Sequence, residues 1–386
     1  MGMFSLRNLF ATKAGIIGTA AFIGGLAAFL EYWGNPGNMG ICMVCFGRDI
    51  SGALGLHREA LCQYMRPEIL GFVLGATLTA YVTGEFQPRG GSAPLLKFVL
   101  GILAMIGALA FLGCPWRAFL RLAGGDGNAV FGILGLVTGI WIGALFLKAG
   151  YRLRPASPTP LWVAWLAPII ILAFLAIRLF DQPIPGQGEG ALLFYSATGP
   201  GSAHAPLAIS LAAGLALGVV AQRSRFCSLA AFRDLFLFRY ATQFLAVVAL
   251  ATAAFLTNLF LGQFHPGFAH QPVAHSMQLW NFLGMAVAGL AFALAGGCPV
   301  RFMTLAGEGD GDAATFFLGM LLGAGLSHDL GWAASSQGID PAGRAAVAIA
   351  MIILLVIAFA MLEKPFKTIS ISFMSRFGNF ISSGNN

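Results

Sequence analysis

Charge is scarce in this chain. Only 10% of its residues are Asp, Glu, Lys or Arg and 58% are hydrophobic, whereas a soluble domain carries about 25% charged residues. Water could not keep such a surface dispersed, so a cytosolic enzyme is excluded and a bilayer is the expected solvent. Cysteine is sparse as well: six in 386 residues exclude the disulfide framework of a small secreted protein. Acidic residues number 15 against 22 basic ones. The net charge of +7 would suit a polyanion in a soluble protein, but with a mean hydropathy of +0.81 nucleic acid is excluded as a partner. The basic residues are expected instead to set topology and to hold small anions. No phosphate-binding loop of the G-x-x-x-x-G-K-[ST] form occurs, so no ATP-driven step is readable. No pair of histidines at ligand spacing accompanies the cysteines, and neither a metal nor a cofactor is expected.

Long apolar runs fill the rest of the chain. A transmembrane helix needs about 20 mostly apolar residues, and ten segments qualify: 14–33, 66–84, 95–113, 129–150, 160–180, 205–221, 241–262, 279–297, 313–332 and 344–362. The first follows Arg7 and Lys13, lacks a clear small-residue cleavage site and is expected to stay as a span. Among the spans lie four stretches too polar to cross and too apolar for ordinary loops, at 38–56, 114–123, 227–238 and 298–306. Each contains a cysteine. The Lys/Arg bias of the connections puts both termini in the cytoplasm.

The chain also repeats itself. Gly113-Cys114-Pro115-Trp116-Arg117 and the later Gly125-Asp126-Gly127-Asn128-Ala129 match Gly297-Cys298-Pro299-Val300-Arg301 and Gly309-Asp310-Gly311-Asp312-Ala313 without a gap, 184 residues apart. Cys42 with Arg48-Asp49 and Cys227 with Arg233-Asp234 form a second matched pair. Each half reads span, cysteine segment, span, span, cysteine segment, span, span. Five is odd, so the second half enters from the opposite side, as an inverted repeat whose pseudo-two-fold axis lies in the membrane plane. The expected fold is an all-α polytopic membrane protein of about ten transmembrane helices plus four short half-membrane helices. Residues 1–180 form the first repeat, 181–362 the second and 363–386 a cytoplasmic tail. Cys42 and Cys114 then approach the midplane from outside, and Cys227 and Cys298 from the cytoplasm.

The cysteine segments carry the chemistry. In Gly-Cys-Pro-x-Arg, glycine ends one helix and proline opens the next, which leaves Cys114 and Cys298 at N-caps beside free N–H groups, with Arg117 and Arg301 one turn on. Irregular backbone at membrane depth is tolerated only where protein or a water-filled cavity supplies partners, so these segments are expected to line a cavity. Arg48, Arg117, Arg233 and Arg301 are the candidates for attracting an anion, and Asp126 and Asp310 for holding loops or capping helices. A protonated thiol is a weak donor suited to a large, soft acceptor such as the terminal sulfur of thiosulfate or a selenium analogue. A series of weak sites favours passage.

These motifs resemble the YeeE/YedE family of sulfur-transport membrane proteins. The likeness rests on Gly-Cys-Pro-x-Arg at Cys114 and Cys298, on Arg-Phe-Cys-Ser at Cys227 and on the Cys42 segment. The stretch Asn35-Pro36-Gly37-Asn38-Met39-Gly40-Ile41-Cys42 is similar to the YedE/FdhT branch associated with selenium metabolism. The resemblance implies a bacterial inner-membrane protein with an hourglass-like inverted-repeat fold, a transporter rather than an enzyme. It also implies uptake of thiosulfate or a related anion, contact of Cys42, Cys114, Cys227 and Cys298 with substrate, and a small TusA-like sulfur carrier as a possible partner beside membrane lipid.

Plainer readings stand beside these. A membrane-embedded sulfur or selenium transferase, or a thiol oxidoreductase, would use the same low-pKa thiols at helix starts. Cys45 and Cys62 have no counterpart in the second half, and Cys45 reads chiefly as structural. His265, His270 and His275 recur every five residues in an outer loop and read as solvated, with metal or proton sensing as the alternative. Trp116 is expected to pack in the core or near an interface. Phe366, Ile369, Ile371 and Phe373, between basic residues of the tail, suggest contact with the inner leaflet.

Overall fold

In hydrocarbon every backbone N–H and C=O must be satisfied within the chain, so apolar runs have little choice but to be helical. The computed structural model describes residues 9–181 and 192–362; the expected inner-leaflet tail lies outside them. Its first half runs α1 (Lys13–Tyr32), α2 (Met43–Ala53), α3 (Pro67–Val82), α4 (Pro94–Phe111), α5 (Pro115–Ala123), α6 (Asn128–Lys148) and α7 (Leu161–Phe180). The second runs α8 (Leu207–Ser224), α9 (Ser228–Phe238), α10 (Thr242–Phe260), α11 (Gln278–Ala295), α12 (Pro299–Gly307), α13 (Gly311–Asp329) and α14 (Pro341–Ala360). The short helices α2, α5, α9 and α12 each begin directly after a cysteine. The strands β1 (Arg89–Gly90) and β2 (Ser157–Pro158) pair antiparallel beside this helical body. Eight helices among the described residues are long and apolar enough to cross a membrane. By itself α3, at 16 residues, falls short of that length.

Small residues set how the long helices meet. In lipid, helices gain little from hiding apolar surface from one another, and close packing of backbones takes its place. A Cβ on Gly135 of α6 would stand 2.0 Å from the carbonyl oxygen of Phe282 on α11, and one on Gly319 of α13 would stand 2.1 Å from that of Phe98 on α4. Gly319 and Phe282 follow Gly135 and Phe98 at the separation of the two Gly-Cys-Pro motifs. The same exchange relates α1 on α10 to α8 on α3: Gly24 meets the carbonyl of Leu250, and Gly218 that of Phe72. At the centre α4 packs on α11. The outer helices break the pattern, since α7 leans on α3 and α12 whereas α14 leans on α11 and α4. Helix α7 buries only Ala164, Pro168 and Ile171.

The Gly-Asp-Gly turns bind loops that come from the other half of the chain. Asp126 forms a bridge with Gly267, and Asp310 one with Arg89. Asp310 also caps α13 through the N–H of Ala313 at 3.0 Å and accepts from Arg89 Nε at 2.9 Å. Asp126 accepts from Arg121 Nε at 2.6 Å and from the Asn128 N–H at 2.9 Å. Loop-holding and capping is the role expected of these acids.

Candidate functional site

Each cysteine helix is entered through the same backbone device. Two residues before each of the four cysteines the chain turns left-handed, at Gly40 (φ +26°), Leu112 (φ +61°), Arg225 (φ +53°) and Gly296 (φ +92°). At Leu112, Arg225 and Gly296 this left-handed residue caps the end of the preceding helix, whereas Gly40 lies eight residues beyond the end of α1; each cysteine that follows is extended and stands at the N-cap. At Leu112 and Arg225 a side chain bears the strain that glycine avoids, an expense tolerated mainly near functional sites.

The four N-cap thiols meet in two pairs, one in each half. Cys42 and Cys114 are in side-chain contact, and Cys227 Sγ lies 3.4 Å from Cys298 Sγ. All four are free thiols and buried. Cys42 Sγ accepts from the Cys45 N–H at 3.3 Å and Cys114 Sγ from the Arg117 N–H at 3.5 Å, so these sulfurs take the part a Ser or Asp oxygen plays at ordinary N-caps. Cys45 joins the first pair: it contacts Cys42, and its sulfur is 3.5 Å from the carbonyl oxygen of Leu112 and 3.6 Å from Arg117 Nη1. Its sequence signal was its position in the first turn after an N-cap cysteine, which turns its N–H onto that sulfur. Cys62 lies apart, within electrostatic reach of Arg48.

The arginines are more tightly held than the sequence implied. Arg117 gives Nε to the carbonyl of Asn38 (3.1 Å), Nη1 to that of Leu112 and to Cys45, and Nη2 to those of Pro272 (3.3 Å) and Val273 (3.1 Å). A guanidinium has five N–H donors, and here all five have acceptors. Arg117 thus has no vacant donor, and its side chain reaches the first thiol pair through Cys45. Arg48 pairs with Asp49 at 2.8 Å, and Arg66 takes the other oxygen of the same carboxylate at 2.7 Å. Arg233 pairs with Asp234 at 2.8 Å and lies within electrostatic reach of Cys227. Arg301 is directed at Glu308, 3.6 Å away.

Aromatic rings connect the two thiol pairs. Trp116, two residues after Cys114, stacks on Phe226, the residue before Cys227, with ring centroids 5.8 Å apart, and Phe119 stacks on Phe232 at 6.3 Å. Trp116 packs in the core as expected. An apolar cavity of about 180 Å³ lies elsewhere, lined by Ile50, Val73, Phe174 and Met303 among others, and none of the four thiols lines it. The histidine loop departs from its sequence reading in one place: His275 is buried, with Nε2 2.8 Å from the carbonyl of Ala110. The loop is held because its 272–273 carbonyls are ligands of Arg117. Among the described residues no group of three or more His, Cys, Asp or Glu is arranged to hold a metal ion.

A family model described as sulphur transport matches residues 223–376. The match takes in Cys227, Arg233, Cys298 and Arg301 and leaves Cys42 and Cys114 outside it. No curated protein matches the chain. The match and the eight apolar helices together support a helical membrane protein of sulfur transport.

Proposed function

We propose that this protein is a transporter or facilitated channel that imports a small sulfur- or selenium-containing anion, thiosulfate-like, along a path through its two thiol pairs. The observation that carries the reading is the meeting of the duplicated N-cap cysteines, Cys42 with Cys114 and Cys227 with Cys298, joined by the stacked Trp116 and Phe226. Thiols held off lipid in series offer a soft ion several weak sites and no deep trap, the condition for conduction. Arg117 and Arg233 supply positive charge beside each pair.

Residues 1–180 and 181–362 act in this reading as two inverted halves in the bacterial inner membrane, with both termini, including the 363–386 tail, in the cytoplasm. The exchanged contacts of Gly135 and Gly319, and of Asp126 and Asp310, support that relation. Such halves put binding near the midplane, open to each face in turn. Cargo leaving the inner pair would pass to a cytoplasmic acceptor of the TusA-like carrier type.

Flux into proteoliposomes containing only this protein tests the reading, with thiosulfate, sulfite, sulfate and selenite compared. Thiosulfate or selenite is expected to enter faster than sulfate, and Cys114→Ala or Cys298→Ala to abolish entry. Unchanged flux in both folded variants refutes it. One observation favours a second reading, a sulfur transferase or thiol oxidoreductase: the 3.4 Å approach of Cys227 and Cys298 suits a thiol that forms a bond during handover. A mass adduct on either residue that turns over with substrate would decide for it.

A further inference from the structure

Trp116 is 1% exposed, and its indole Nε1 has no hydrogen-bond partner. A buried donor without an acceptor costs free energy, and in a native structure it requires a reason. Its surroundings supply one. The ring follows Cys114 by two residues and stacks on the residue before Cys227, so it belongs to both cysteine segments. Its neighbour Arg117 has every donor engaged. The second copy of the motif carries Val300 at this position and has no such donor.

Building on the transport reading above, we infer that the Trp116 indole N–H donates a hydrogen bond to an oxygen of the anion as it moves between the two thiol pairs. A thiosulfate-like ion has two chemically different ends. Its terminal sulfur suits a thiol, and its oxygens suit a hard donor. Indole N–H is a donor only and keeps its proton, so it can hold an oxygen without titrating or reacting. A hydrogen bond to an anion is stronger than one between neutral groups, and in a dry site it returns what the vacant N–H cost. The donor is buried and unpartnered without the ion and is satisfied only while the ion is there.

The inference separates binding from stability. Trp116→Phe keeps a ring against Phe226 and removes the N–H; replacement of Trp116 by 3-benzothienylalanine keeps the bicyclic shape and puts sulfur where the N–H was. Both are expected to raise the KM for thiosulfate flux in proteoliposomes about tenfold or more, with the melting temperature unchanged or higher, because a buried unmet donor has been removed. The benzothienyl variant covers the case in which phenylalanine packs poorly. The inference is overturned if both variants transport with the parent KM, or if both melt lower with KM unchanged, which would mean that the N–H serves a structural acceptor. Cys114→Ala, measured alongside, separates the two levels. If it and the Trp116 variants all transport like the parent, the transport reading fails; if only the Trp116 variants do, the inference fails alone.

Discussion

Cys227 Sγ and Cys298 Sγ lie 3.4 Å apart across 71 residues of chain, at the N-caps of two helices, in hydrogen-bond contact and with no disulfide between them. A disulfide needs about 2.05 Å between sulfurs, so only a small local shift separates the pair from oxidation. A mild thiol oxidant such as a diazenedicarboxamide, which takes up the two hydrogens, is expected to close this disulfide, stop flux and be reversed by dithiothreitol. Cys227→Ser should form no 227–298 cross-link under the same treatment. Peptide mass mapping checks it: a 227–298 cross-link is the expected product, and its absence in fully inhibited protein would contradict the geometry.

The glycine contacts predict where a single methyl group is intolerable. Gly135→Ala and Gly319→Ala each drive a Cβ to about 2 Å from a facing carbonyl oxygen, and overpacking of this kind costs about 1–3 kcal/mol or more. Gly18→Ala, in α1 with no atom near the new methyl, is the control and should stabilise by up to about 1 kcal/mol through helix propensity. Thermal unfolding in detergent ranks the three. Equal losses from Gly135→Ala and Gly319→Ala would follow from their matched positions.

Two copies of one turn differ in burial, and their variants should differ in cost. Arg121 and Asp126 are fully buried and 2.6 Å apart, so Asp126→Asn leaves a buried cation unpaired, at about 3–5 kcal/mol. The Arg89 side chain facing Asp310 is 28% exposed, and Asp310→Asn, which keeps a capping side chain, should cost about 1 kcal/mol or less. Chemical or thermal denaturation of the two variants measures the contrast.

Acid should weaken the loop that covers Arg117. Burial, opposed by the hydrogen bond to the Ala110 carbonyl, holds the His275 pKa below the usual histidine value. The folded protein therefore binds fewer protons than the unfolded chain, whose histidine titrates at about 6.5. Stability is complete above that pH and is lost as pH falls below it. The melting temperature is expected to drop between about pH 7 and about pH 5, and less so in His275→Gln. His57 and His204, also lowered by burial, contribute in the same direction.

Much of the architecture was legible because its causes are short-range or periodic. Apolar runs of helical length read as helices, and Gly-Cys-Pro marked Cys114 and Cys298 as helix starts, since proline's fixed φ and missing N–H leave few alternatives. The duplication was legible because Cys, Arg and Asp kept their order at nearly one separation, 184 residues for Cys114 and Cys298 and 185 for Cys42 and Cys227. Less legible were Cys45, which has no counterpart in the second half, and His275, whose burial depends on what its loop lies against. Arg117 read as a candidate for attracting an anion, and its engagement was not legible because its acceptors are chiefly backbone carbonyls, which any residue type supplies and which leave no trace in a sequence.

The sequence by itself determined the solvent, the helices, the caps that the Gly-Cys-Pro motifs impose on Cys114 and Cys298, and the likeness of the two halves, because each follows from composition or from interactions within a turn or two. Tertiary structure alone decided that Cys42 meets Cys114 and Cys227 meets Cys298, that Arg117 is tied down by a loop some 155 residues away, and that the Trp116 N–H lacks a partner. Those facts depend on which backbones approach closely enough to touch, and local rules do not reach across that distance.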